Sequence, residues 1–175
     1  KNIENLKGET TNELYGAVGY LSEINLQKGD KDGLLHFLKP KMLLRYAPGQ
    51  MRRELEGSRL KPDSIFSLDR LSNINNFENG LSATIGFDYN FISDDKELNF
   101  SGGQIISEKE NKDMPDITSL NEKLSDLVGS ASYNINDKIK LNYNFSVDQN
   151  YQELNYNELG AKLNYGVADF NFNYL

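Results

Sequence analysis

From Gly80 to the end of the chain, apolar residues recur at every second position. That period places one apolar and one polar face on an extended strand, and helical spacing fits none of it. Leu81, Ala83, Ile85, Phe87, Tyr89 and Phe91 alternate with Ser82, Thr84, Gly86, Asp88 and Asn90. The pattern returns in Leu98, Phe100 and Gly102, and again in Leu127, Gly129, Ala131 and Tyr133. It is cleanest in Ile139, Leu141, Tyr143, Phe145 and Val147, set against Lys140, Asn142, Asn144, Ser146 and Asp148. Two further runs follow: Leu159, Ala161, Leu163 and Tyr165, then Ala168, Phe170, Phe172 and Tyr174. Upstream, less regular strands are expected over about 13–26, with Leu14, Gly16, Val18 and Tyr20 in phase, and over about 37–47. In the second, Leu38, Pro40, Met42, Leu44 and Tyr46 oppose Lys39, Lys41 and Arg45. A proline inside a strand marks an edge or a bulge, so the start of that strand is set loosely. Eight strands of about 10 residues result, the length a tilted strand needs to cross a bilayer.

The connections alternate in length. Residues 93–96, 134–138 and 165–167 make tight turns and 27–35 a compact one, whereas 48–79 and 108–126 are long. Only 149–155 is intermediate. Short turns on one side and long loops on the other is the layout of an outer-membrane barrel, and a soluble sandwich has no reason to sort its connections this way.

Composition narrows the reading further. Only 38% of the 175 residues are hydrophobic and no apolar run approaches the ~18 of a spanning helix, so a helical membrane protein is excluded. The net charge of −7 argues against a nucleic-acid binder. There is no Cys for a disulfide or thiolate metal site, and a single histidine leaves little room for histidine chemistry. The chain is polar yet carries 10 Tyr, 9 Phe and 22 Asn, which is unlike a disordered composition. A barrel wall accounts for it: rings and aliphatics toward lipid, with girdles near the strand ends, and Asn, Ser and charge toward water. The fold class read from the sequence is all-β, an antiparallel transmembrane β-barrel segment of about eight meandering strands. The chain starts at Lys1 without Met or a signal segment and stops at Leu175 inside an alternating run, so residues 1–175 are expected to be part of one larger barrel domain.

Several blocks occur in order: KPKMLLRYAPGQMR (39–52), IFSLDRLS (65–72), NFENGLSATIGFDY (76–89), SLNEKLSD (119–126) and YNFSVDQNYQELNYNELGA (143–161). Together they resemble the barrel of the LPS-assembly family LptD, also called organic solvent tolerance protein, in its alphaproteobacterial form. The resemblance runs from about residue 12 to the end. It implies a barrel of roughly 26 strands, at the upper end of the common range. It also implies a translocon that inserts lipopolysaccharide into the outer leaflet of the outer membrane. The implied partners are the LptE lipoprotein plug, a periplasmic bridge of Lpt proteins reached through an N-terminal domain absent from this chain, and outer-membrane lipids. No cofactor and no enzymatic step are expected.

The basic residues Arg52, Arg53, Arg59, Lys61 and Arg70 fall in the long loop after the second strand, and Arg can hold phosphate bidentately. They are candidate lipopolysaccharide contacts, against the reading that the loop folds over the lumen and is held by Glu54, Glu56, Asp63 and Asp69, which is the favoured one. Lys39, Lys41 and Arg45 are candidate lumen contacts, against pairing with neighbouring strands. The GDKDG stretch at 29–33 fails as a calcium loop, because Lys41 stands where a bidentate Glu is required. Asp94 and Asp95 read as turn chemistry, and 108–116 as a solvated loop. His36 follows a short turn, the wrong side for a barrel hydrolase. Two other classes share the strand pattern: a passive porin-like channel and a soluble β-sandwich binding module.

Overall fold

The computed structural model describes residues 15–29, 33–49, 53–71, 76–94, 96–164, 166 and 169–175. They form one antiparallel sheet with strands β1 (Val18–Glu23), β2 (Leu26–Gly29), β3 (Leu35–Ala47), β4 (Gly80–Ser93), β5 (Lys96–Ser107), β6 (Leu127–Asn136), β7 (Ile139–Val147), β8 (Leu154–Asn164) and β9 (Asp169–Tyr174). Strand order follows the chain from β1 to β9, with β2 also on β3, and the sheet is open among the described residues. The only helical element among them is a single 3₁₀ turn, Asp116–Thr118.

The upstream strand is one ladder interrupted once. Glu23 pairs with Lys41 and Leu26 with Leu38, so the register runs on unchanged across the gap. The gap faces Pro40. Ile24 N–H still donates to the Pro40 carbonyl at 3.2 Å, but proline has no N–H to return. Pro40 therefore sits neither at an edge nor at a bulge: β3 is flanked on both sides, and the break appears in its partner. The expected strand began near residue 13; the observed one starts at Val18 and reaches Gly29, and residues 13 and 14 lie outside the described residues.

The short turns form for local reasons. Asp94 takes φ 47°, the left-handed conformation a two-residue hairpin needs. Asn136 Oδ1 accepts from the Lys138 and Ile139 N–H groups, and Asn164 Oδ1 from Gly166 N–H. Asp95, Asp30 and Asp32 lie outside the described residues.

Register sorts the side chains as the alternation requires. One face carries Leu38, Met42, Leu44, Ile85, Leu141, Leu159, Phe170 and Phe172, all exposed. The other carries Lys39, Asp88, Ser101, Ser130, Asn144 and Glu158 along one rung, and Asn90, Asn99, Ser132 and Asn142 along the next. On the apolar face, Phe87, Phe100 and Phe145 form a row with centroids 5.6 and 6.3 Å apart, crossing the middle of the sheet rather than its rims. Gly129 lies beneath the Phe145 ring, where a Cβ would collide with it. Rings also meet at both ends of the sheet, His36 with Tyr89 and Phe91 near the short turns and Tyr15 with Phe77 near the long loops.

The buried core lies on the polar face. The loops 53–71 and 108–126 fold back onto it, and Leu60, Ile65, Leu71, Met114 and Leu120 pack with Ile105 of β5 and Val128 of β6. Phe66 lies over the Gly86–Gly103 step, where a Cβ on Gly86 would meet the ring at 2.9 Å and run into the Gly102 carbonyl. Glycine stands there because loop and sheet approach closely.

Candidate functional site

The polar face divides into two halves. Near the long loops it is covered. Arg45, on β3, donates from Nε to the Leu68 carbonyl at 2.8 Å and from Nη1 to the Glu78 carbonyl at 2.9 Å. Its guanidinium stands 3.7 Å from the Glu78 carboxylate and over the Phe77 ring. Arg70, in the loop, reaches the other oxygen of the same carboxylate at 3.3 Å and Ser82 Oγ at 3.3 Å. Ser82 in turn donates to Glu78 at 3.0 Å. All three charged side chains are buried. Burial pulls the Arg70 guanidinium down to about 10; Glu78 opposes that fall and Arg45 adds to it. Two cations share one carboxylate, and the group ties loop to wall.

Near the short turns the face is uncovered and lined by amides and hydroxyls. Glu97 accepts from the amides of Asn90 at 2.7 Å, Asn99 at 3.1 Å and Asn134 at 3.1 Å. Ser101 and Ser130 meet at 2.7 Å. Glu158 accepts from Asn144 at 3.2 Å and from the Tyr156 hydroxyl at 2.9 Å. A groove of about 330 Å³ runs along Ser132, Asn142, Asn144, Glu158 and Asn173 to Lys140. Such a surface exchanges hydrogen bonds with hydroxyl-rich molecules or water and buries almost nothing apolar.

The candidate residues do not gather into one patch. Lys41 pairs with Asp88 at 3.1 Å and Glu23 at 3.6 Å, beneath the Phe66 ring. Lys39 lies beside it on the uncovered half, without an ion pair among the described residues. Arg45 and Arg70 are the buried pair on Glu78. Arg59 reaches across to β8, donating to the Asn155 carbonyl at 3.1 Å and stacking over Tyr156. Arg53 and Lys61 are exposed, and Arg52 lies outside the described residues. The loop is thus folded over the wall, and among the described residues the Glu78 carboxylate holds both Arg70 and Arg45. Sequence reasoning passed over Glu78, although it shares the phase of Ser82 and Thr84 on the polar face.

His36 points to the apolar face, where Nδ1 lies 2.8 Å from the Tyr89 hydroxyl. Among the described residues no group of His, Cys, Asp and Glu is placed to hold a metal. Outside the strands, Asp148 caps the β7–β8 turn. Its carboxyl is held below the usual carboxylate range by the N–H of Glu153, with those of Gln152 and Asn150 assisting.

An open meander with one bare apolar face and one polar face can lie against lipid on one side and water on the other. Residues 13–175 match the family model LptD, LPS transport system D. The chain belongs to the LptD family. LptD is an outer-membrane β-barrel of lipopolysaccharide transport and outer-membrane assembly, and the nine-stranded antiparallel sheet fits such a fold. LptD is a transport and assembly component, and it works with lipopolysaccharide and other parts of the Lpt system. No curated protein matches the chain.

Proposed function

We propose that residues 1–175 form one stretch of the wall of a larger LptD-type barrel, with the polar face toward the lumen and the apolar face toward lipid. The observation that carries this is the division of the polar face. The loops cover the half near the long connections, and the half near the short turns is an uncovered lattice of Asn, Ser and Glu. Hydroxyls of a lipopolysaccharide head group can exchange hydrogen bonds along that lattice in place of water. Lys39 and Lys41 border it and are its candidate head-group contacts, with Arg59, Arg53 and Arg52 on the loop above. Arg45 and Arg70 act through the loop they hold.

The uncovered half is also the surface offered to a lipoprotein plug, the LptE partner of this reading, and the short-turn side faces the periplasmic bridge. The chain performs no bond-breaking step; its work is passage. The reading is tested by depleting the whole protein and measuring lipopolysaccharide at the cell surface. Surface lipopolysaccharide is expected to fall while it accumulates behind the outer membrane, and an unchanged surface level would overturn the reading.

A further inference from the structure

At the short-turn end of the polar face, Lys140 of β7 and Lys162 of β8 stand directly opposite each other. Like charges in opposed positions of an antiparallel pair repel, and a wall selected only for stability would break the pair. Lys138 and Lys96 line the same groove of about 430 Å³. Three carboxylates border it: Asp94 and Asp137 in the turns and Glu97 on β5. Glu97 is engaged by three amides and attracts Lys140 from beyond ion-pair distance, one carboxylate against two opposed lysines. None of the four lysines makes an ion pair with a described residue. Lys140 also borders the groove of Asn142, Asn144 and Asn173, so the cations sit at the end of the amide lattice.

We propose that this rim is a binding site for a phosphorylated saccharide, its phosphate between Lys140 and Lys162 and its hydroxyls along the neighbouring amides. Two ammonium groups across one strand pair can approach different oxygens of one phosphate, and the anion relieves their repulsion. The site deepens the transport reading above and rests on it: it names where on the wall the charged part of the head group is held.

The test uses the whole protein in outer membranes, with a photoreactive residue at Asn171, which faces Lys162 on β9. Cross-linking to lipopolysaccharide is expected in the wild type. It should fall about tenfold in the K140Q/K162Q double variant and recover in K140R/K162R, the loss of one charge-assisted contact. Lipopolysaccharide stripped of phosphate is expected to cross-link at the level of the double variant. Suppression of the lipid cross-link by millimolar glucose 6-phosphate would support the same chemistry with a soluble source able to fill it. A K140Q/K162Q yield equal to wild type, with K140R/K162R also unchanged, would overturn the site and leave the transport reading standing. Normal surface lipopolysaccharide after depletion would instead remove the reading beneath it.

Discussion

The sharpest consequence of the covered half is an asymmetry between Glu78 and Arg70. Glu78→Gln keeps the shape and one acceptor oxygen but leaves two buried guanidinium groups without a counter-charge. Breaking a buried ion pair by removing one partner costs about 3–5 kcal/mol. Arg45 keeps the Leu68 and Glu78 carbonyls as acceptors, so the low end, about 3 kcal/mol, is expected. Arg70→Met should behave in the opposite way. Burial takes Arg70 down to about 10 even with Glu78 beside it. The buried charge is therefore a net cost on the order of a few kcal/mol at neutral pH. The sign is that of a base with a lowered pKa: the folded state binds its proton less well, and stability would rise only as pH climbs above about 10. Removing Arg70 leaves Arg45 and Glu78 as a balanced pair, so the change is expected to be neutral or stabilising. The assay is proteolysis of the loop between β3 and β4 in outer membranes at neutral pH, where the rate follows the population of the opened loop. Glu78→Gln should raise the rate roughly 100-fold and Arg70→Met should leave it unchanged or slower. An unchanged rate in Glu78→Gln, or a faster one in Arg70→Met than in Glu78→Gln, would refute the reasoning.

Gly86→Ala should push Phe66 off the wall and cost about 1–3 kcal/mol, whereas Gly102→Ala, whose nearest new contact is 3.5 Å, should be tolerated; both are read by the same loop proteolysis. Tyr143→Lys on the apolar face should cost about 2–4 kcal/mol and lower the yield of folded barrel in outer membranes, while Asn142→Lys, one residue away on the polar face, should not. The Asp148 cap is complete above the ordinary carboxylate value of ~4 and lost as pH falls through its lowered one, so hydrogen exchange at the Gln152 and Glu153 amides should rise in acid; in Asp148→Asn that acid dependence should vanish.

Most of the sheet was legible because period 2 is a geometric property of strands and survives any tertiary context. The described residues of the six alternating runs from Leu81 onward fall on the expected faces, and Tyr165 and Ala168 lie outside the described residues. The upstream strand was less legible, since Pro40 broke its partner's ladder at a distance in sequence. The aromatic row was missed because Phe145 reaches over Gly129 toward Phe100 two strands away, and spacing along one strand carries no trace of that. The core was the least legible part. Ile105 and Val128 stand on the polar phase, and their burial depends on where Leu60, Ile65 and Met114 fold back. The cations of the loop were visible as a group, but their separation into a buried Arg70, an Arg59 on Tyr156 and an exposed Arg53 is decided by that fold. Lys140 and Lys162 were both on the polar alternation; only the register brings them face to face.

The central claim is that these strands cross the membrane with one face in water and one in lipid, and since residues 1–175 hold no Cys, single cysteines introduced there can be read against the unsubstituted protein. Single cysteines at successive positions 139–147, in the protein in its native membrane, are to be probed with a membrane-impermeant maleimide after the outer surface is opened to it. Labelling is predicted at 140, 142 and 144 and protection at 139, 141, 143, 145 and 147, while buried position 146 is protected by Asp126 and its neighbours. Uniform labelling, or labelling of the odd positions in place of the even ones, would contradict the account.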